Sequence, residues 1–116
     1  MKLEMGLYHP ATDAIELPAV LHALSDPQRL CIVRELSADP EPVPCGTLQL
    51  DVSKSTRTHH FRVLREAGVI RQDVIGTSRF TSLRREDLDA RFPGLLDVVL
   101  AAPPSELPTA VAPAAR

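Results

Sequence analysis

The stretch Ser53 to Ile70, SKSTRTHHFRVLREAGVI, decides how this chain folds. Ser53 can cap a helix, because its hydroxyl accepts from the free backbone N–H groups of a first turn. The run from Lys54 to Ala67 contains neither Pro nor Gly, and Gly68 can take the left-handed conformation that ends a helix. At 100° per residue, Phe61, Leu64 and Ala67 fall on one side, and Ser55, Thr58, His59 and Arg62 on the other. The second face carries short hydroxyls, an imidazole and a guanidinium, with no acid until Glu66. A helix buried on one side and offering donors and positive charge on the other suits a DNA major groove.

Upstream, Ile15, Leu17, Val20, Leu21 and Leu24 recur at helical spacing, and Pro18 is acceptable in a first turn. Asp26-Pro27 restarts the chain as an N-cap followed by a first-turn proline. Leu30, Ile32, Val33 and Leu36 then give a second helix its buried side. Three prolines between Asp39 and Pro44 predict loop. A short third helix fits around Thr47 to Leu50, before Asp51-Val52 turns the chain into Ser53.

Downstream, Val69 to Ile75 predicts a strand, Gly76-Thr77-Ser78 a turn, and Arg79 to Leu83 the returning strand. A last helix begins near Arg84, with a Leu88, Phe92, Leu95, Leu96, Val99 and Leu100 stripe that Pro93-Gly94 should kink or restart. The expected organisation is a flexible arm over residues 1–13, one folded domain over 14–100, and a disordered Pro/Ala-rich tail over 101–116. The fold class is mainly α with a small β-hairpin.

The chain has 116 residues, enough for one small domain; 44% are hydrophobic and only 3% aromatic, so its core is aliphatic. The formal net charge of −2 is unevenly spread. Lys54 to Arg85 holds eight Lys/Arg and two acids, a net +6; the other residues hold five basic and thirteen acidic groups, a net −8. Such a distribution concentrates attraction for nucleic acid at one place. The sequence shows no signal-peptide-like or membrane-spanning run, and two cysteines give no secreted disulfide framework, so the expected location is cytoplasmic.

Three segments then carry a resemblance. Ala23-Leu24-Ser25-Asp26-Pro27-Gln28-Arg29-Leu30, Ser53-Lys54-Ser55-Thr56 with His59-His60-Phe61, and Val63-Leu64-Arg65-Glu66-Ala67-Gly68-Val69-Ile70 resemble the ArsR/SmtB family of bacterial transcriptional repressors. The likeness covers roughly residues 15 to 100. It implies a winged helix-turn-helix of order α1-α2-α3-α4-β1-β2-α5, acting as a homodimer that an effector releases from an inverted-repeat operator. It also implies base contacts from Lys54, Ser55, Thr58 and His59, and phosphate contacts from Ser53 and Thr56. The electrostatic candidates are Arg62 and the wing residue Arg79, though Arg79 could equally be a charge that discourages edge pairing.

Leu17, Val20, Leu21 and Leu24, with Phe92, Leu95, Leu96 and Val99, offer more apolar surface than so short a chain can cover, so these residues are the expected dimer interface. The metal sites of the resembled family are missing. Pro42-Val43-Pro44-Cys45-Gly46 has one thiol where a C-x-C pair is needed, and residues 84–100 contain no histidine. No metal or cofactor is therefore expected. Cys31 and Cys45 read as small partly buried hydrophobes, as a redox or thiol-reactive sensor, as two thiolates on one soft ion, or as metal ligands with His9 or His22 from the other subunit. His60 lies nearer the buried side and is expected to be packed and hydrogen-bonded. The competing functions are a winged-helix protein-interaction module and, far behind, a thiol hydrolase using Cys45, for which no oxyanion-hole motif exists. The effector, if any, is not legible.

Overall fold

The computed structural model describes residues 7–48 and 50–102. Its helices are α1 (Leu17–Leu24), α2 (Pro27–Ser37), α3 (Lys54–Ala67), α4 (Arg85–Arg91) and α5 (Leu95–Leu100). Its strands are β1 (Val43–Pro44), β2 (Ile70–Ile75) and β3 (Ser78–Leu83). Local chemistry sets the boundaries. Asp26 Oδ1 accepts from the Gln28 and Arg29 N–H groups at 2.7 and 3.2 Å and starts α2. Ser53 Oγ accepts from the Thr56 N–H at 3.2 Å and starts α3. Pro93 and Gly94, the latter at φ +86°, separate α4 from α5, so of the two expected outcomes, a kink or a restart, the helix restarts.

Two features differ from the sequence expectation. The hairpin gains a third strand: β3 is central and pairs antiparallel with both β2 and β1, in the order β1-β3-β2. Pro44 is tolerated because β1 is an edge. The expected third helix at Thr47 to Leu50 is replaced, among the described residues, by a single 3-10 turn over Cys45–Thr47 followed by extended backbone at Leu48. Pro42 and Pro44 lack N–H donors, Gly46 is a poor helix former, and the pairing of Val43 with Thr81 draws this segment onto the sheet.

The core lies where α1, α2 and α3 meet the sheet. Ile15, Val20, Ile32, Val33, Leu64, Val69 and Ile70 are all fully buried there. The segment before α1 is fastened to the far end of the domain. Arg84 donates to the Pro10 carbonyl at 2.8 Å, and Thr12 donates to Asp87 Oδ1 at 2.7 Å. The Thr12 hydrogen bond, followed by one from Arg84 Nε to Asp87 Oδ2 at 2.9 Å, holds the Asp87 carboxyl below its usual pKa. The part of the expected N-terminal arm that is described thus lies against the sheet and α4; residues 1–6 and 103–116 fall outside the described residues.

Gly68 sets the turn from α3 into β2. At φ +90° its N–H bonds back to α3, and the Val69 N–H reaches the Leu64 carbonyl at 3.0 Å. A Cβ here would stand 2.6 Å from Ile15 Cγ1. Replacing Gly68 by Ala therefore combines left-handed strain with a core clash, and should cost roughly 2–4 kcal/mol in urea unfolding. Gly46→Ala meets nothing within 4 Å and serves as the control. It should stay within about 0.5 kcal/mol of the parent, and equal losses for the two would refute the close-approach account.

Candidate nucleic-acid interface

Helix α3 buries His60, Phe61, Leu64, Arg65 and Ala67 and turns its other side outward. Ser53, Lys54, Ser55, Thr56, Thr58, His59 and Arg62 are all exposed. Ser53 Oγ also lies 2.9 Å from Thr56 Oγ1 and 3.3 Å from Ser55 Oγ, so three hydroxyls cluster at the helix start. The free N–H groups and partial positive charge of that end favour an approaching anion. Arg79 is exposed on β3 beside the β2–β3 turn, paired across the strands with Val74. The wing tip and the outward face of α3 therefore each present basic side chains.

Several other basic residues are engaged by groups of the same chain instead. Arg57 donates to the Cys45 carbonyl and its guanidinium lies 5.4 Å above the Phe61 ring, tying the 3-10 turn to α3. Arg71 pairs with Asp73 at 3.2 Å on the surface. Arg65 is buried and donates to Gln72 Oε1 at 2.8 Å, linking α3 to β2; burial lowers its pKa. His60 is packed as expected, with Nδ1 3.1 Å from Arg29 Nη1.

Sequence reading missed Arg29, Arg65 and Gln72, yet each sits on a buried pattern. Arg29 shares the helical stripe of Ile32, Val33 and Leu36, Arg65 lies four residues after Phe61, and Gln72 alternates inward with Ile70. A polar residue in an apolar stripe signals a satisfied buried group, and that was the available clue.

The expected dimer residues divide. Leu17 and Leu21 are exposed at 40% and 48%, whereas Val20, Leu24 and Leu96 are buried within the protomer and have almost no surface left to share. Their assignment to an interface is corrected on that ground. Phe92, Leu95 and Val99 are half-buried against the core. Val98, which the stripe did not include, is 73% exposed.

The cysteines are both free. Cys31 is 1% exposed within α2, and burial, aided by Glu35, pushes its thiol pKa up to about 11. It behaves as a core hydrophobe, which opposes a sensing role. Cys45 is half-buried, with Sγ 2.9 Å from Thr81 Oγ1 and 3.4 Å from Gln72 Nε2. The ring of His9 is already committed, since its Nε2 accepts from the Gln72 N–H at 2.9 Å. Among the described residues no three His, Cys, Asp or Glu side chains converge as a metal site.

Residues 24–73 match the model of a helix-turn-helix domain family. The chain is also 32% identical over 82 residues to the uncharacterised HTH-type transcriptional regulator YceK of Bacillus subtilis (strain 168), covering 69% of this chain and 82% of that protein. It belongs to the helix-turn-helix transcriptional regulators. The crystal structure of an ArsR family transcriptional regulator superimposes with a TM-score of 0.59 at 24% identity, over 70% of this chain and 89% of the other. The fold is thus the ArsR-type winged helix, and the regulator is not an enzyme. Among the described residues no helix of this regulator is long and apolar enough to cross a membrane.

Cysteine accessibility in the regulator is open to a direct check. A thiol-specific disulfide reagent at about pH 8 should modify Cys45 at least roughly tenfold faster than Cys31, with Cys31 reacting fully only on denaturation. Cys45→Ser should remove the fast phase; a fast phase that survives this change would contradict the buried placement of Cys31.

Proposed function

We propose that this regulator is a homodimeric repressor that reads an inverted-repeat operator with α3 in the major groove, and that a small effector releases it. The observation that carries the reading is the outward face of α3, where Lys54, Ser55, Thr58, His59 and Arg62 are exposed together and the opposite face is buried. Lys54, Ser55, Thr58 and His59 are the base-reading residues of this proposal. Ser53 and Thr56, at the capped first turn, take a phosphate, and Arg62 and Arg79 add non-specific attraction. The fold of the ArsR family regulator supports a wing lying beside the DNA backbone.

Dimerisation rests on Leu17 and Leu21 of α1 and Val98 of α5, exposed apolar side chains on the first and last helices. Two reading helices related by a twofold axis account for an inverted-repeat site. The release signal is assigned no residue: Cys31 is sealed in the core, and Cys45 is the one accessible thiol among the described residues.

Duplexes selected by the regulator from a random-sequence pool should share an inverted repeat and bind with a steep salt dependence. Arg62→Ala should weaken selected and random duplexes alike and reduce the salt slope by about one. His59→Ala or Ser55→Ala should cost roughly 1–3 kcal/mol on the selected duplex and little on the random one. Equal losses on both duplexes would remove His59 and Ser55 from base reading.

Leu21→Glu combined with Val98→Glu should convert the regulator to a folded monomer in analytical ultracentrifugation. Affinity for the full repeat should fall by about two orders of magnitude, because the second half-site is no longer engaged in the same complex. A dimer that survives both changes would place the interface elsewhere.

A further inference from the structure

Arg29 takes no part in the surface described above, yet its guanidinium joins three helices. The residue is 6% exposed, and burying an arginine is unfavourable unless its donors are met. Nε donates to the Ala23 carbonyl at 2.7 Å and Nη2 to the His22 carbonyl at 3.3 Å, both at the C-terminal end of α1. Nη1 lies 3.1 Å from His60 Nδ1 on α3. One planar fork, rooted in α2, thus holds the end of α1 and the inner face of α3.

The contact also specifies the state of the imidazole. A guanidinium has donors and no acceptor, so His60 Nδ1 must present a lone pair and the ring must be neutral, with its hydrogen on Nε2. Nε2 is 3.9 Å from Asp26 Oδ1, the oxygen that already caps α2. The charged or titratable groups around the ring are Arg29 and Asp26 from α2 and His59 from α3; from α1, His22 reaches the same guanidinium through its carbonyl. Burial is the largest influence and lowers the His60 pKa; Arg29 and His59 act the same way, and Asp26 opposes them.

We infer that Arg29 and neutral His60 form a positioning pair that fixes α3 against α1, so that a proton on His60 Nδ1 loosens α3 and weakens DNA binding. The inference rests on the reading of α3 as the helix that enters the groove. Protonation removes the acceptor and sets two cations face to face at a distance that suits a hydrogen bond. Asp26 attracts the imidazolium, but a ring that turns toward Asp26 leaves Arg29. Because α1 carries Leu17 and Leu21 of the proposed dimer surface, its angle to α3 sets the separation of the two reading helices, and that separation must match the half-site spacing. The neutral pair is complete above the ordinary imidazole pKa of roughly 6.5. It is lost as pH falls through the lowered value of the folded state.

The test measures dissociation constants at about pH 8 and about pH 5 for the wild-type regulator, His60→Gln, His60→Ala and Arg29→Ala. The probe is a duplex that the wild-type protein selects from a random-sequence pool at the higher pH, and circular dichroism confirms that each variant is folded at both. Glutamine keeps an acceptor oxygen for Arg29 but does not titrate. The wild-type should lose about fivefold more affinity on acidification than His60→Gln, and at the higher pH His60→Gln should stay within about threefold of wild-type and bind more tightly than His60→Ala. His59 is present in both the wild-type and His60→Gln, so the two proteins differ only at position 60. Equal pH ratios for wild-type and His60→Gln overturn the inference and leave the DNA reading standing. Failure to select any duplex removes both. If Arg29→Ala does not fold, the comparison of wild-type with His60→Gln alone decides.

Discussion

The missing side chain at Gly68 is the constraint on which most of this structure depends. At that position α3 ends, the chain turns into β2, and Ile15 packs against the turn with no room for a methyl group. The left-handed turn sends Val69 and Ile70 directly into the core, which aligns β2 and, through it, β3. Because Ile15 also leads into α1, one close approach relates three elements: the segment that begins the domain, the helix that faces outward, and the sheet that flanks it. Arg91 reinforces the same point by donating its Nε to the Ile15 carbonyl at 3.1 Å.

Around that hinge point the molecule uses buried polar groups to fix positions that an aliphatic core alone would leave adjustable. Arg65 reaches Gln72, whose amide nitrogen is 3.4 Å from both Cys45 Sγ and Thr81 Oγ1. Thr81 and Gln72 are almost completely buried, so these bonds lie in a poorly screened environment. The chain connects the inner side of α3 to β2, β3 and the 3-10 turn that replaces a helix. Leu, Ile and Val supply the burial, while this polar chain supplies the register.

Much of this was legible in the sequence. The cap at Ser53, the apolar spacing of Phe61 and Leu64, and Gly68 identify α3 with its boundaries, because each signal is local and they agree. The hairpin was legible from the Gly76 turn for the same reason. The third strand was not, because Val43-Pro44 has no strand signature of its own and exists only by pairing with Phe80 and Thr81. The expected third helix failed for a related reason: tertiary pairing took the segment that weak propensity left undecided. The outward residues of the site followed from the helical period, whereas Arg57 and Arg65 were counted only as charges of the Lys54 to Arg85 segment and have internal partners. The dimer stripe was over-assigned because periodicity identifies apolar positions without saying whether the same chain already covers them, as it does at Val20, Leu24 and Leu96.

The division of labour within α3 has an evolutionary consequence. Its inner face is bound into the core through His60, Phe61, Leu64 and Arg65, while Lys54, Thr58, His59 and Arg62 are exposed. Substitutions on the outer face therefore carry little folding penalty, and those on the inner face carry a large one. A lineage that keeps this scaffold can exchange the outer letters freely and acquire new preferences by single steps, each as well folded as the last. On the proposed reading of α3, the helix is a fixed mount with an interchangeable edge, and changes at a handful of outward positions alter which site it prefers without altering how it folds.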